Sequence, residues 1–129
     1  MRKLILIVLV LFIPFWCGCA RYTIGHYKFE VVDAEQGVPV AGARIYEYSI
    51  YAIPINSPKP VEAFTDSNGI AEMEIANYFP RSVEITSEGY KSAKFLFDND
   101  TSQPGRVIVQ FQNENDVKVS MYKESGSND

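Results

Sequence analysis

After residue 26 the chain alternates apolar and polar positions with a period of two through most of its length. In Ala71-Glu72-Met73-Glu74-Ile75 the apolar side chains share one face and the glutamates the other, the pattern of a strand with one face buried. The same alternation groups Phe29 with Val31, Val83 with Ile85, and Ala93 with Phe95 and Phe97. It also groups Val107 with Val109 and Phe111, and Val117 with Val119 and Met121. Ala43–Tyr51 is the longest strand candidate, with Tyr46, Tyr48 and Ile50 on one face. Val61–Thr65 is expected to enter a hairpin whose turn is Asp66-Ser67-Asn68-Gly69. Asp66 and Asn68 can hydrogen-bond their own backbone, and Gly69 accepts a positive φ. Val38–Gly42 reads as an edge or connecting segment because Pro39 lacks a donor. Pro54, Pro58 and Pro60 bound an irregular loop, and Asp98–Gly105 reads as a polar loop. Short strands with turns about every 8–12 residues, and no long helix, predict an all-β, Greek-key β-sandwich of about seven or eight strands. It occupies residues 27–122, followed by a disordered polar tail over 123–129.

Composition agrees with that pattern and narrows the partners. The chain has 129 residues with eight Tyr and eight Phe, an aromatic load that favours strands. Its formal charge is −4; without Arg2 and Lys3, ten basic residues face sixteen acidic ones, which is −6. No Lys/Arg cluster accompanies this acidity, so nucleic acid is not an expected partner.

The first residues depart from the strand pattern. Met1-Arg2-Lys3 is a positive start, and Leu4–Trp16 is an apolar run too short to span a bilayer comfortably, as in a secretory leader. Cys17 and Cys19 are one residue apart and cannot staple the body. Trp16-Cys17-Gly18-Cys19 resembles the lipobox of bacterial lipoproteins, although Trp16 stands where leucine is usual. The resemblance implies a signal peptide over 1–18, cleavage after Gly18, acyl chains (palmitate among them) on Cys19, and a tether over 19–26. Membrane lipid is then the first partner, and the cell envelope the location. Ala20, where an aspartate would favour the inner membrane, implies the outer membrane in a Gram-negative host. Ordinary signal-peptidase cleavage after Ala20 remains open, because Gly18 and Ala20 satisfy the small-x-small rule.

Three segments in order carry a second resemblance. They are Gly37-Val38-Pro39-Val40-Ala41-Gly42-Ala43, then Thr65-Asp66-Ser67-Asn68-Gly69, then Ser87-Glu88-Gly89-Tyr90. Together they resemble the carboxypeptidase regulatory-like domain, over Lys28 to about Phe97. The resemblance implies a transthyretin-like β-sandwich that is non-catalytic and sits beside enzymes or on bacterial surfaces, hence an envelope protein as partner. Each segment also has a structural cause. Gly42 and Ala43 let the chain pass close to a neighbour, Asp66, Asn68 and Gly69 set a turn, and Gly89 supplies positive φ beside a buried Tyr90.

The residue inventory points away from catalysis. His26 is the single histidine and lies in the expected tether, no thiol other than the lipidated one is left after cleavage, and no cofactor is implied. Zinc ligand sets are absent. Asp66-x-Asn68-Gly69 and Asp98-Asn99-Asp100 are oxygen-rich turns, without the bidentate glutamate that a helical calcium loop carries. Lys28 alternates outward, away from the inward position that an isopeptide bond to Asn113 or Asn115 requires. What remains is aromatic: Tyr46, Tyr48 and Tyr51 are the candidate contacts for a protein partner or, alternatively, a glycan or small ligand.

Overall fold

A computed structural model describes residues 23–49, 59–77, 81–97, 100–103 and 105–125. Among these residues there are nine strands: β1 (Thr23–Asp33), β2 (Arg44–Ser49), β3 (Val61–Phe64), β4 (Ile70–Asn77), β5 (Arg81–Thr86), β6 (Ala93–Leu96), β7 (Thr101–Gln103), β8 (Val107–Phe111) and β9 (Asp116–Met121). They form a five-stranded sheet, β4-β1-β9-β8-β7, packed on a four-stranded sheet, β3-β2-β5-β6. The protein is an all-β sandwich, and the count exceeds the expected seven or eight. The added strand is β7, inside the segment expected as a polar loop. It pairs with β8 through Thr101↔Val109 and Gln103↔Val107, and the Asp100 carboxylate accepts the Phe111 amide. Short polar strands of this kind owe their existence to a neighbour and carry no apolar period.

The core is the set of inward positions that the alternation marks. Phe29, Val31, Ile45, Ile75, Val83, Ile85, Val107, Val119 and Met121 are fully buried between the sheets. Burying each such side chain is worth about 1.5–3 kcal/mol. Lys28 is exposed, as expected.

Several boundaries move. Residues 23–26, expected within a tether, belong to the sandwich, because β1 begins at Thr23 and pairs with β4 from Thr23↔Asn77 onward. His26 therefore sits in a strand, with Nδ1 3.5 Å from Glu74 on the solvent side. Residues 123 and 124, expected in the polar tail, are also joined to the sandwich. Tyr90 and Lys123 form an antiparallel bridge, and the Glu124 amide donates to the Gly89 carbonyl. One pairing had no sequence signature: β1 and β9 run parallel, in register Phe29↔Val117 and Val31↔Val119.

The turn at Asp66–Gly69 is tight but does not make a hairpin. β3 pairs with β2 in one sheet and β4 with β1 in the other, so this turn carries the chain across the sandwich. Asp66 Oδ1 accepts the amides of Asn68 and Ile70, each at 2.9 Å. Buried Thr65 holds the corner from the other side. Its hydroxyl accepts the Ala43 amide and donates to the Val40 carbonyl, while its own amide and carbonyl bond Ala43 and Gly42. The segment Val40–Ala43 and the turn thus complete each other's hydrogen bonds, which is why the two motifs occur together. Gly69 has φ +72°, and a Cβ there would lie 2.4 Å from the Val31 carbonyl oxygen. At Gly42, φ is +72° and a Cβ would meet nothing within 4 Å, so this glycine serves the dihedral and not the close approach expected of it.

Register sorts the connections to two poles. Thr23, Ser49, Val61, Asn77, Arg81 and Asp116 lie at one end, and the Asp33–Gly37, Asp66–Gly69 and Ser87–Tyr90 turns at the other. Asp33 organises the second pole. Its Oδ1 accepts the amides of Glu35 and Gln36, both at 2.9 Å, and its Oδ2 accepts the Tyr90 hydroxyl at 3.0 Å. Lys123 Nζ lies 3.7 Å from the same carboxylate. Gly89, at φ +79°, makes the turn that presents Tyr90.

The Gln36 amide first, then the Glu35 amide, the Tyr90 hydroxyl and Lys123, hold the Asp33 pKa below the ordinary aspartate value, against the opposing effect of burial. A carboxyl lowered on folding contributes stability that is complete above its unfolded pKa and lost as pH falls through its folded one. Asp33→Asn is therefore expected to destabilise the protein at pH 7 and to differ progressively less from wild type as pH falls below about 4. Urea midpoints measured from pH 7 to pH 2 check this; a difference that does not shrink on acidification contradicts it.

Candidate functional site

The two outer faces of the sandwich differ in kind. On the five-stranded sheet, His26, Lys28, Glu72 and Glu74 lie outward, with Lys28 opposite both Glu72 and Asp116 and Glu30 opposite Lys118. This is a ladder of solvated charges. A shallow depression there, about 350 Å³, is lined mostly by polar side chains (His26, Lys28, Glu72, Glu74, Asn115 and Asp116), with Tyr27 and Met73 beneath them. Among the described residues no group of three or more His, Cys, Asp or Glu side chains is placed to hold a metal ion.

The four-stranded sheet presents rings and alkyl groups instead. β2 turns Ile45 and Glu47 inward, so Arg44, Tyr46 and Tyr48 face outward. Cross-strand register adds Phe64 and Glu62 from β3, Ser82, Glu84 and Thr86 from β5, and Lys94 and Leu96 from β6. Phe64 is 59% exposed and Leu96 46%, at opposite edges of the sheet. Between them the Tyr46 and Tyr48 ring centroids stand 5.5 Å apart at a 34° tilt. Arg44 lies over the Tyr46 ring, 4.7 Å from its centroid, and pairs with Glu62 at 2.6 Å. Lys94 Nζ lies 5.4 Å from the Tyr48 centroid. Stacked aromatics with cations over their faces make a stiff amphipathic surface.

A notch opens at one end of this surface. Tyr48, Ser82 and Leu96 occupy successive strands in one cross-strand row, and the small Ser82 forms the floor between two larger side chains. The opening, about 340 Å³, is lined by Tyr48, Ser82, Lys94, Phe95 and Leu96. The Lys94 ammonium, then the Ser82 hydroxyl, lower the Tyr48 phenol pKa, and the Tyr48 phenol raises that of Lys94.

Of the expected contact residues, Tyr46 and Tyr48 are brought together; Tyr51 lies outside the described residues, as do Cys19, Asp98 and Asn99. Asp66 turns a carboxylate oxygen to two amides of its own turn, and Asp100 turns one to the Phe111 amide of β8. Nothing within their own segments singles out Phe64, Leu96, Ser82, Lys94 or Arg44. Their alternation within β3, β5 and β6 was available, but only register places them on one face with the tyrosines.

A second unforeseen feature lies under the surface. Glu47 shares the inner face of the four-stranded sheet with Arg81, and both are buried. Arg81 Nη2 donates to Glu47 Oε2 at 2.7 Å, and Nε faces Oε1. Burial lowers the Arg81 pKa, although a guanidinium remains charged there. No hydrogen-bond partner serves Arg81 Nη1 among the described residues.

No protein-family model and no curated protein matches the chain. Among solved structures, the backbone is similar to that of 3-chlorocatechol 1,2-dioxygenase from Rhodococcus opacus 1CP, with a TM-score of 0.55 and 13% sequence identity. The match covers 82% of this chain and 63% of that one, so this chain spans less than two thirds of that protein's length. A likeness at this identity bears on the sandwich fold alone.

Proposed function

We propose that the protein is a lipid-anchored protein of the cell envelope, carrying a carboxypeptidase regulatory-like, transthyretin-like sandwich that binds a protein partner and does no covalent chemistry of its own. The observation that carries this reading is the contrast between the outer faces: solvated charge pairs with a single exposed Ile24 at the end of β1 on one, and Phe64, Tyr46, Tyr48 and Leu96 grouped on the other. Exposed rings and alkyl groups within a polar frame are the composition of a protein contact. A glycan is the second reading, and the tyrosine pair is what would serve it. Against it, a cation covers one face of each ring and the rings crowd each other, leaving little open face for a sugar to stack on.

The anchor supports the same reading. Three residues separate Cys19 from Thr23, so the span between them reaches at most about 14 Å. A sandwich tethered so closely meets partners that are themselves in or at the membrane, the outer membrane in a Gram-negative host. Two or three acyl chains, at about 0.8 kcal/mol per buried methylene, hold it there stably.

Three variants separate the parts of this reading. Cys19→Ser is expected to move the protein from the membrane fraction to the soluble one. Tyr46→Ser combined with Phe64→Ser is expected to abolish co-purification of a partner from detergent extracts, whereas Lys28→Ser on the opposite face leaves it intact. A partner lost equally from both variants, or a Cys19→Ser protein still bound to membranes, would count against the proposal.

A further inference from the structure

The notch at Ser82 has a chemistry that the rest of the face lacks. Three polar groups converge on it, the Lys94 ammonium and the Ser82 hydroxyl both directed at the Tyr48 phenol oxygen, with the Leu96 side chain as an apolar wall. Ser82 is nearly buried, so its hydroxyl meets whatever enters rather than bulk water. Lys94 has a carboxylate directly opposite in register, Glu84, yet no carboxylate lies within ion-pair distance of its ammonium among the described residues. Arg44, at the other end of the same face, does pair, with Glu62 at 2.6 Å. One cation of the surface is thus paired in place, while the other feels Glu84 only beyond ion-pair distance and is held at the Tyr48 ring beside the notch. No carboxylate lines the notch itself.

On these grounds, and resting on the reading of this face as a partner surface, we propose that the Tyr48–Ser82–Lys94–Leu96 notch receives a carboxylate side chain of the partner, set between apolar residues. The carboxylate accepts from Lys94 and from the Ser82 or Tyr48 hydroxyl, and its apolar neighbours lie on Leu96 to one side and Tyr46 to the other. A charged acceptor meeting an ammonium beside a nearly buried hydroxyl makes the stronger, charge-assisted class of hydrogen bond. The raised pKa of Lys94 and the lowered pKa of Tyr48 fit an ammonium already directed to this oxygen-lined end. Lys94 remains cationic through neutral pH, so the site asks only that the incoming group be ionised.

The test uses the full acylated chain in detergent micelles and two capped tripeptides, one with glutamate between two leucines and one with glutamine in its place. Amide resonances of Ser82, Lys94 and Leu96 are followed during titration. The glutamate peptide is expected to shift them, with the glutamine peptide about tenfold weaker, the equivalent of 1.4 kcal/mol. Raising the salt concentration should erode the difference, and Lys94→Gln should reduce the glutamate peptide to the level of the glutamine one. Equal shifts from the two peptides, or an unchanged response in Lys94→Gln, would overturn the carboxylate assignment. If those equal shifts also centre on Tyr46 and Phe64, the face survives as a partner surface and only the anchoring group is wrong. If neither peptide moves any resonance of the face, and the partner still binds the Tyr46→Ser, Phe64→Ser protein, the reading beneath it fails as well.

Discussion

Arg81→Ala is expected to cost about 3–5 kcal/mol of folding stability, because it leaves the Glu47 carboxylate buried without its counter-charge. Glu47 and Arg81 are 0% and 3% exposed, so neither can turn to water when the other is removed. Against a total of about 5–15 kcal/mol for a domain, that loss would leave much of the protein unfolded at ambient temperature. The double replacement Glu47→Leu with Arg81→Met should behave quite differently. Desolvating two charges offsets most of what their attraction contributes, so well-packed apolar substitutes are expected to be neutral or to stabilise by about 1–4 kcal/mol. Urea unfolding of the two single variants and the double variant decides the matter. A double variant as unstable as either single one would mean that the ion pair itself holds the pole together.

Gly69→Ala is the second large effect. The residue has φ +72°, where an alanine costs about 1–2 kcal/mol. Its Cβ would also stand 2.4 Å from the Val31 carbonyl oxygen and 3.2 Å from the Val40 amide nitrogen, both backbone atoms. Backbone cannot swing aside as a side chain does. The corner between β3 and β4 would have to open, lengthening the bond from the Val31 amide to the Gly69 carbonyl, now 2.8 Å. Gly42→Ala supplies the internal control, since its φ is the same but nothing lies within 4 Å of the added Cβ. That variant should lose only the dihedral term, about 1–2 kcal/mol, with Gly69→Ala losing at least that much again. Equal losses at the two positions would show that the close approach at Gly69 is relieved at little cost.

The comparison of these glycines also shows what was legible in the sequence. Asp66, Gly69 and Gly89 announce their turns because the cause is local: a side chain bonding its own backbone, or a dihedral that only glycine takes easily. The inward positions of β1, β4, β8 and β9 are equally legible, since alternation is local too. Whether a turn closes a hairpin or crosses between sheets is decided by which strands are neighbours, and Asp66–Gly69 looks the same in either case. For the same reason β7 was invisible, with no apolar period to mark three polar residues held by β8.

The candidate surface divides along the same line. Tyr46 and Tyr48 are marked by their spacing, but their facing depends on Ile45 and Glu47 taking the inner side of β2. A glutamate at an inward position contradicts the usual pattern, and only its pairing with Arg81, 34 residues away, makes that phase possible. Ser82, Lys94 and Leu96 join the site through β-pairing across three strands, which no spacing within one segment encodes.

The partner surface is tested most directly by photo-cross-linking in intact membranes. A benzophenone amino acid is placed in turn at position 46, at position 94, and at position 28 on the opposite sheet. The account predicts one discrete adduct of constant mass from positions 46 and 94 and none from position 28, with the adducts lost when Cys19→Ser releases the protein from the membrane. Adducts from position 28 equal to those from position 46, or from position 28 alone, would contradict it.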